Sequence, residues 1–526
     1  MVKVLISDKM SPRAADVFRQ RGVEVVEQTG LSPDELKAAL AGVDGLAVRS
    51  STKVTADIFA AAKGSLKVVG RAGIGVDNVD LEAATAHGVC VMNTPFGNSI
   101  TTAEHAIALM MAMARQLPAA NASTHAGKWE KNRFMGVELY GKTLGVIGCG
   151  NIGAIVCDRA KGLRMHVVGF DPFLSDERAQ DMGIERVELD ELLARADFIT
   201  LHTPLTDSTR GIIGKQNIAK MKPGVRIINC ARGPLVVEAD LREALESGHV
   251  AGAAIDVFAE EPARESLLFG MENVVATPHL GASTEEAQVN VAVQVAEQMS
   301  DYLLTGAVAN ALNMASVSAE EAPKLKPYFE LARQLGSFAG QLTTTALKAV
   351  HIEYCGAVSE LNTRPLTAIV LEGLLRPQMD TVNMVNAPVI ARERDIDVRE
   401  TRVDCPSDYH TLIRVIVTTE RQTRDVVGTL FTDDRPRIVQ VKGIELEAEL
   451  GRHMLYVTNE DKPGFIGALG TTLGDAGVNI ATFHLGRASH GGEAIALIEV
   501  DQEITEEILA GVRTLPHVVQ AEALSF

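Results

Sequence analysis

Along the first 97 residues, short apolar runs alternate with longer segments whose apolar positions recur every three or four residues. The runs at 2–7, 23–26, 45–48 and 67–70 are rich in Val and Leu, which predicts strands buried on both faces. The segments at 11–20, 32–41 and 55–62 predict helices between them. Strand and helix in alternation predict one α/β unit. A long helix is expected over 101–117, opened by a capping box of Thr101 with Glu104 and closed by Pro118. The alternation then resumes, with strands at 142–147, 165–170, 198–201, 226–229, 252–256 and 274–276 and a helix at 154–162. Repeated βα units of this kind predict a second doubly wound sheet. Ser283-Thr284-Glu285-Glu286 reads as another capping box, opening a helix to about Leu304 that returns the chain to the first unit. The two crossing helices would form a double hinge around a cleft, a common place for ligands.

Beyond residue 311 the pattern changes. A helix over 325–342 is followed by strands at 350–355, 412–419, 426–432 and 437–441. From 453 the order is strand (453–458), helix (465–476), strand (479–487), strand (494–500), helix (505–514), strand (518–524). That βαββαβ order predicts a ferredoxin-like unit. The expected fold is α/β: two doubly wound, Rossmann-like domains with an interdomain cleft, then an α+β intervening domain and a ferredoxin-like domain. The expected limits are 1–97 plus 284–310, 98–283, 311–452 and 453–526.

Composition narrows the function. A chain of 526 residues with 46% hydrophobic content can build several cores. A net charge of −18 without a long basic run argues against a nucleic-acid partner. An anionic substrate would need a local cluster of Arg or Lys. The six cysteines (Cys90, Cys149, Cys157, Cys230, Cys355 and Cys405) show no CxxC and no zinc spacing, which predicts reduced thiols and no metal site. No signal-like N-terminus and no apolar run of the ~20 residues a membrane span needs is present, so the expected location is the cytoplasm, with no membrane partner.

The chemistry starts at Gly148-Cys149-Gly150-Asn151-Ile152-Gly153, which follows a predicted strand and opens a predicted helix. Asp171 ends the next strand, about 20 residues on. This is the dinucleotide fingerprint in its full context. The glycines let the backbone approach a pyrophosphate, and the helix N-terminus offers it free N–H groups. A carboxylate at 171 accepts hydrogen bonds from a ribose and repels a 2′-phosphate, so the expected cofactor is NAD. Three predicted strand ends then carry Arg232, Glu261 and His279. In parallel sheets such ends face the ligand crevice. An imidazole can take the proton of an alcohol as its hydride leaves, a carboxylate can orient that imidazole, and an arginine can clamp a substrate carboxylate.

The segments 71–80 (RAGIGVDNVD), 93–105 (NTPFGNSITTAEH), 229–233 (NCARG), 256–262 (DVFAEEP) and 277–279 (TPH), with the glycine fingerprint, resemble the D-isomer-specific 2-hydroxyacid dehydrogenases over about residues 1–310. The two C-terminal units resemble those of the family's long members, which oxidise 3-phosphoglycerate to 3-phosphohydroxypyruvate in serine biosynthesis. The resemblance implies His279 as acid/base, Glu261 as its partner and Arg232 as the carboxylate anchor. It places Thr102, His202, Thr203, Pro204, Cys230, Ala231, Arg232, Asp256, His279 and Gly281 against NAD, beside the fingerprint. It places Gly73, Ile74 and Asn98 near substrate. The phosphate is expected to meet Arg49 with Ser50, Arg71 and Arg133, the last able to trade roles with Lys128 or Lys131 and to come from a neighbouring subunit. The last unit resembles an ACT domain, which implies L-serine as an effector at Asn459, Asp461 and Asn479, and a homo-oligomer, expected as a tetramer. In the intervening unit Arg435, Arg437 and Lys442 could hold a second anion, although a solvated basic strand is the better expectation. The alternatives are another D-2-hydroxyacid dehydrogenase, acting on glycerate or lactate, and an NAD-sensing binding protein on the same fold.

Overall fold

The computed structural model describes residues 1–62, 64–318, 320–403, 409–431 and 434–526. Four sheets follow one another along the chain. The first is five parallel strands in the order Glu24–Glu27, Lys3–Ile6, Gly45–Val48, Val68–Arg71, Cys90–Met92. Its order reverses between Lys3–Ile6 and Gly45–Val48, so a crevice opens where Asp8 and Arg49 leave the sheet. The second has seven parallel strands in the order Val274–Ala276, Val250–Ile255, Val225–Asn229, Phe198–Leu201, Thr143–Ile147, His166–Phe170, Glu185–Arg186. It reverses between Thr143–Ile147 and Phe198–Leu201, beside Gly148 and His202.

Three helix ends differ from expectation. The helix Ser99–Ala114 starts two residues before Thr101, with Asn98 as its N-cap and no side-chain cap. The Thr101–Glu104 capping box therefore does not form: Thr101 already lies inside the helix. Gln116 then adopts a left-handed conformation, and a second helix, Leu117–His125, begins with Pro118 in its first turn. There the missing N–H is harmless, so this proline opens a helix rather than closing one. The helix Glu285–Thr305 is capped by Thr284, whose side chain accepts from the Ala287 N–H at 3.2 Å, one residue later than a box built on Ser283. Its Val291, Val295 and Met299 enter the same core as Val4, Val68 and Met92 of the first sheet, as expected for a returning helix.

The third sheet is mixed, in the order Asp397–Val403, Leu347–Gly356, Thr411–Thr419, Thr423–Leu430, Pro436–Val441, Ile444–Ala448. Alternate residues of Thr411–Thr419 are buried, under the helix Ala322–Gln341. The helices Arg364–Leu375 and Ala387–Glu393 and the strands Asp397–Val403 and Ile444–Ala448 were not expected. The expected strand end at Thr432 lies outside the described residues, as does Cys405. Cys90, Cys149, Cys157 and Cys230 are free and buried, but Cys355 is disulfide-bonded, which corrects the expectation of six reduced thiols.

The fourth sheet is antiparallel, in the order Ile480–Arg487, Glu493–Val500, His453–Glu460, Val518–Ser525. Leu455 and Val457 face the helices Phe465–Asp475 and Glu506–Arg513, while Met454 and Tyr456 join the core of the intervening unit. The period of two along one strand thus serves two packings. Among the described residues no helix is long and apolar enough to cross a membrane.

Candidate active site

The fingerprint forms the expected cradle. A Cβ on Gly148 would sit 2.6 Å from the His202 carbonyl, and one on Gly153 would sit 2.0 Å from the Gly148 oxygen, so strand, loop and helix close on each other only as glycines. Around Gly150, by contrast, a Cβ would meet nothing within 4 Å, which leaves room for a pyrophosphate. The helix Asn151–Gly162 has no side-chain cap, so the N–H groups of its first turn, Asn151, Ile152 and Gly153, point to that space. Asp171 accepts from the Cys149 N–H at 2.9 Å and the Phe173 N–H at 2.8 Å, one bond per oxygen. Each oxygen keeps a lone pair for a ribose hydroxyl.

Neighbouring strands deliver the reactive groups. His279 Nδ1 lies 2.6 Å from Glu261 Oε2, and Glu261 Oε1 accepts from the Phe258 N–H at 3.0 Å. His279 has a φ of 56°, a left-handed backbone held by its own N–H on the Asp256 carbonyl at 2.8 Å. The fully buried Asp256 organises this turn: its carboxylate accepts from Thr277 Oγ1 (2.6 Å), Leu280 N (2.8 Å) and Gly281 N (2.9 Å). Burial opposes its charge, but these bonds and His105 Nε2 at 3.2 Å outweigh it and hold the carboxyl below its ordinary range. Thr102 Oγ1 donates to the Gly281 carbonyl at 2.9 Å and ties the same turn to the long helix. A cavity of about 300 Å³ lies beside the pair, walled by Phe258, Pro262, Phe269 and Pro278.

His202, Thr203 and Pro204 follow the strand Phe198–Leu201 at the switch point. His202 Nε2 meets Thr200 Oγ1 at 2.9 Å, and burial pushes the imidazole down to about 4, so it is neutral at pH 7. Cys230, Ala231 and Arg232 follow Val225–Asn229, where buried Asn229 bonds the Ala231 N–H and the Arg232 carbonyl and fixes the loop. Among the described residues, His105, Cys230 and Asp256 bring three possible metal donors within 4.8 Å of one another. Burial pushes the Cys230 thiol up, away from the thiolate a metal takes, and Asp256 is already committed to four donors.

On the first sheet, Arg49, with exposed Ser50 after it, and Arg71 stand at adjacent strand ends. The Nε atoms of both arginines are buried without a hydrogen-bond partner. Burial, with repulsion from Arg232 and Arg49, pulls Arg71 down to about 10, against the attraction of Asp77 and Asp8. Three guanidiniums thus converge with unspent donors, the local cation cluster an acidic chain needs for an anionic substrate. Gly73 and Ile74 are pinned by Thr94 and Asn93, and the N-cap Asn98 buries an unpaired Oδ1. Arg133 does not join them. It pairs with Glu130 at 3.1 Å and with Glu272, and its guanidinium lies 5.4 Å from the Phe134 ring centre, on the surface.

Sequence reasoning missed Asp8 and Asp77. Asp8 is buried and accepts from the Arg49 N–H (2.6 Å) and Thr52 (3.1 Å from N, 2.7 Å from Oγ1), so it shapes the Arg49 turn. Its signal was an acid directly after the first strand, at the switch point. Asp77 stands in the 71–80 segment and bonds Arg232 Nε at 2.9 Å.

In the ACT-like unit, Asp461 accepts from Arg487 Nη1 and the Gly491 N–H, both at 3.0 Å. Asn479 Nδ2 donates to Asp501 at 2.7 Å. These two lie at opposite ends of Ile480–Arg487, on the order of 20 Å apart at about 3.3 Å per residue. One chain therefore does not bring Asp461 and Asn479 together. Asn459, beside Asp461, buries an unpaired Oδ1. In the intervening unit Arg437 pairs with Glu449 and Lys442 lies 3.5 Å from Glu493, so these cations are already matched.

Residues 107–281 match the D-isomer specific 2-hydroxyacid dehydrogenase NAD binding domain, residues 324–442 the D-3-phosphoglycerate dehydrogenase intervening domain and residues 453–516 the ACT domain. A D-3-phosphoglycerate dehydrogenase of Bacillus subtilis is 43% identical, covering 100% of this chain and 99% of the relative. The chain belongs to the D-3-phosphoglycerate dehydrogenase family. A family member from Methanocaldococcus jannaschii is 42% identical over 98% of each chain. The solved NAD⁺-bound 3-phosphoglycerate dehydrogenase of Entamoeba histolytica aligns with a TM-score of 0.51 at 30% identity, over 59% of this chain and 98% of that one. NAD is the cofactor, and the open space at Gly150, the free helix N-terminus and Asp171 fit it.

Proposed function

We propose that the chain oxidises 3-phospho-D-glycerate to 3-phosphohydroxypyruvate with NAD, the first step of L-serine synthesis. The observation that carries this reading is the place of Arg232, which reaches the loop of Arg71 through Asp77 and sits beside Gly233, packed on Phe258, whose N–H holds Glu261 of the His279 pair. Bound NAD supplies the carbon that accepts hydride. His279 Nδ1 is committed to Glu261, so Nε2 is the atom that takes the hydroxyl proton and returns it in the reverse direction. Glu261 holds the ring through Oε2 while the Phe258 N–H holds Glu261. Arg232 takes the substrate carboxylate, and the buried Nε–H groups of Arg49 and Arg71 turn to the phosphate.

The test follows NADH consumption with 3-phosphohydroxypyruvate, hydroxypyruvate and pyruvate. A strong preference for the phosphorylated ketone supports the reading. Equal rates with hydroxypyruvate would discard the phosphate site and leave the His279–Glu261 pair standing.

The same reading extends to regulation. The ACT unit takes L-serine between two copies, with Asp461 and the unpaired Oδ1 of Asn459 of one chain facing Asn479 of another. The chain then works as a homo-oligomer, in this reading a tetramer in the cytoplasm.

A further inference from the structure

One carboxylate of this chain already occupies the guanidinium that the reading above reserves for substrate. Arg232 Nε donates to Asp77 Oδ2 at 2.9 Å, and the pair joins the loop after Val68–Arg71 to the loop after Val225–Asn229, across the cleft. Arg232 Nη1 is turned back onto the Ala231 carbonyl at 2.7 Å. Its Nη2 lies against the first loop at Gly75, where a Cβ would fall 1.8 Å from it. Glycine there lets the guanidinium lie flat along the loop that carries Asp77. The Asp77 side chain is 67% exposed and reaches Arg232 through one oxygen.

The Nε–Nη2 edge of a guanidinium is a fork that matches a carboxylate at two points. Asp77 uses it at one point only, in an exposed pair of the kind that stabilises little. A substrate carboxylate that engages both nitrogens can therefore take its place. Without Asp77, Arg49, Arg71 and Arg232 would face each other with one counter-charge fewer, while burial, with repulsion from Arg232 and Arg49, already draws Arg71 down. We propose that Asp77 is a displaceable counterion of Arg232, which neutralises the guanidinium in the ligand-free protein and yields it to the substrate carboxylate. Asp77 then sets how tightly substrate and product are held. This inference rests on Arg232 being the carboxylate anchor.

The experiment compares wild type, Arg232→Gln, Asp77→Asn and Asp77→Glu, with 3-phosphohydroxypyruvate and NADH varied in turn. Arg232→Gln comes first: an unchanged KM for the ketone would remove the anchor itself, and with it the reading of the site. If that KM rises, Asp77 can be judged alone. Asp77→Asn, of nearly the same shape, is expected to lower the KM for the ketone about three- to fivefold, the size of an exposed ion pair. Inhibition by 3-phosphoglycerate tightens by the same factor, and Asp77→Glu moves both back toward wild type. The KM for NADH, held on the other lobe, serves as the control for folding. A ketone KM that is unchanged or higher in Asp77→Asn, with NADH unaffected, overturns the proposal; a higher value would mean that Asp77 positions Arg232 in the complex instead of competing for it.

Discussion

His279 combines a left-handed backbone, an N–H on the Asp256 carbonyl and a 2.6 Å contact with Glu261, so its one free ring atom has little choice of direction. His279→Asn is expected to lower turnover by about 10²–10⁴, the range for a lost general acid or base. NADH binding, read by fluorescence titration, should persist, because the Gly148–Gly153 cradle is untouched. Full activity in this variant would mean that another group moves the proton. Arg71 leads to a binding prediction. Burial and the neighbouring Arg232 and Arg49 disfavour its charge in the ligand-free protein, and a phosphate would relieve that repulsion. Arg71→Met should therefore raise the KM for the phosphorylated ketone about tenfold or more while the KM for NADH stays as in wild type. An unchanged ketone KM would place the phosphate elsewhere.

At the scale of elements, local signals set the type of structure and neighbours adjusted the ends. Thr284 caps its helix through the Ala287 N–H, and because the third residue is an alanine no reciprocal box forms there. Thr101 does not cap, because the chain enters the helix earlier, where Ser99 Oγ donates to the Pro95 carbonyl and Thr102 Oγ1 to the Asn98 carbonyl. In the intervening unit the helix Ala322–Gln341 is legible in the sequence, but Arg364–Leu375 is not, since it is buried along most of its length and shows no polar stripe. Its partner Ala322–Gln341 meets it through Gly336 and Gly340. A Cβ at Gly340 would lie 2.5 Å from the Leu374 carbonyl oxygen, a backbone atom that cannot swing aside. Gly340→Leu should therefore destabilise this packing by about 1–3 kcal/mol. The readout is a lower thermal midpoint, and an unchanged midpoint would show that the two helices can separate without loss.

The whole molecule joins two cleft-forming sheets to an ACT-domain sheet whose two faces serve different cores. If serine sits between copies, Asp461→Ala and Asn479→Ala should each abolish inhibition in their own oligomers. Mixed oligomers of the two variants should regain part of it, because one pairing in each dimer reunites both native residues. Inhibition that stays absent from the mixture would mean that the two residues do not share a site between copies.

The sequence by itself determined the alternation of strand and helix in the first two sheets, the βαββαβ order of the last unit and the NAD fingerprint, and it named His279, Glu261 and Arg232, because each rests on short-range periodicity or on a motif whose spacing is set by a single turn. It named Arg49 and Arg71 without showing that they repel one another. It grouped Arg133 with them, from the same or a neighbouring subunit; within one chain Glu130 and Glu272 hold that side chain on the surface. Asp8, Asp77 and the separation of Asp461 from Asn479 were decided only by the tertiary structure. Contacts such as Asp77 with Arg232, 155 residues apart in sequence, depend on how two independently wound sheets face each other, and no local pattern encodes that distance.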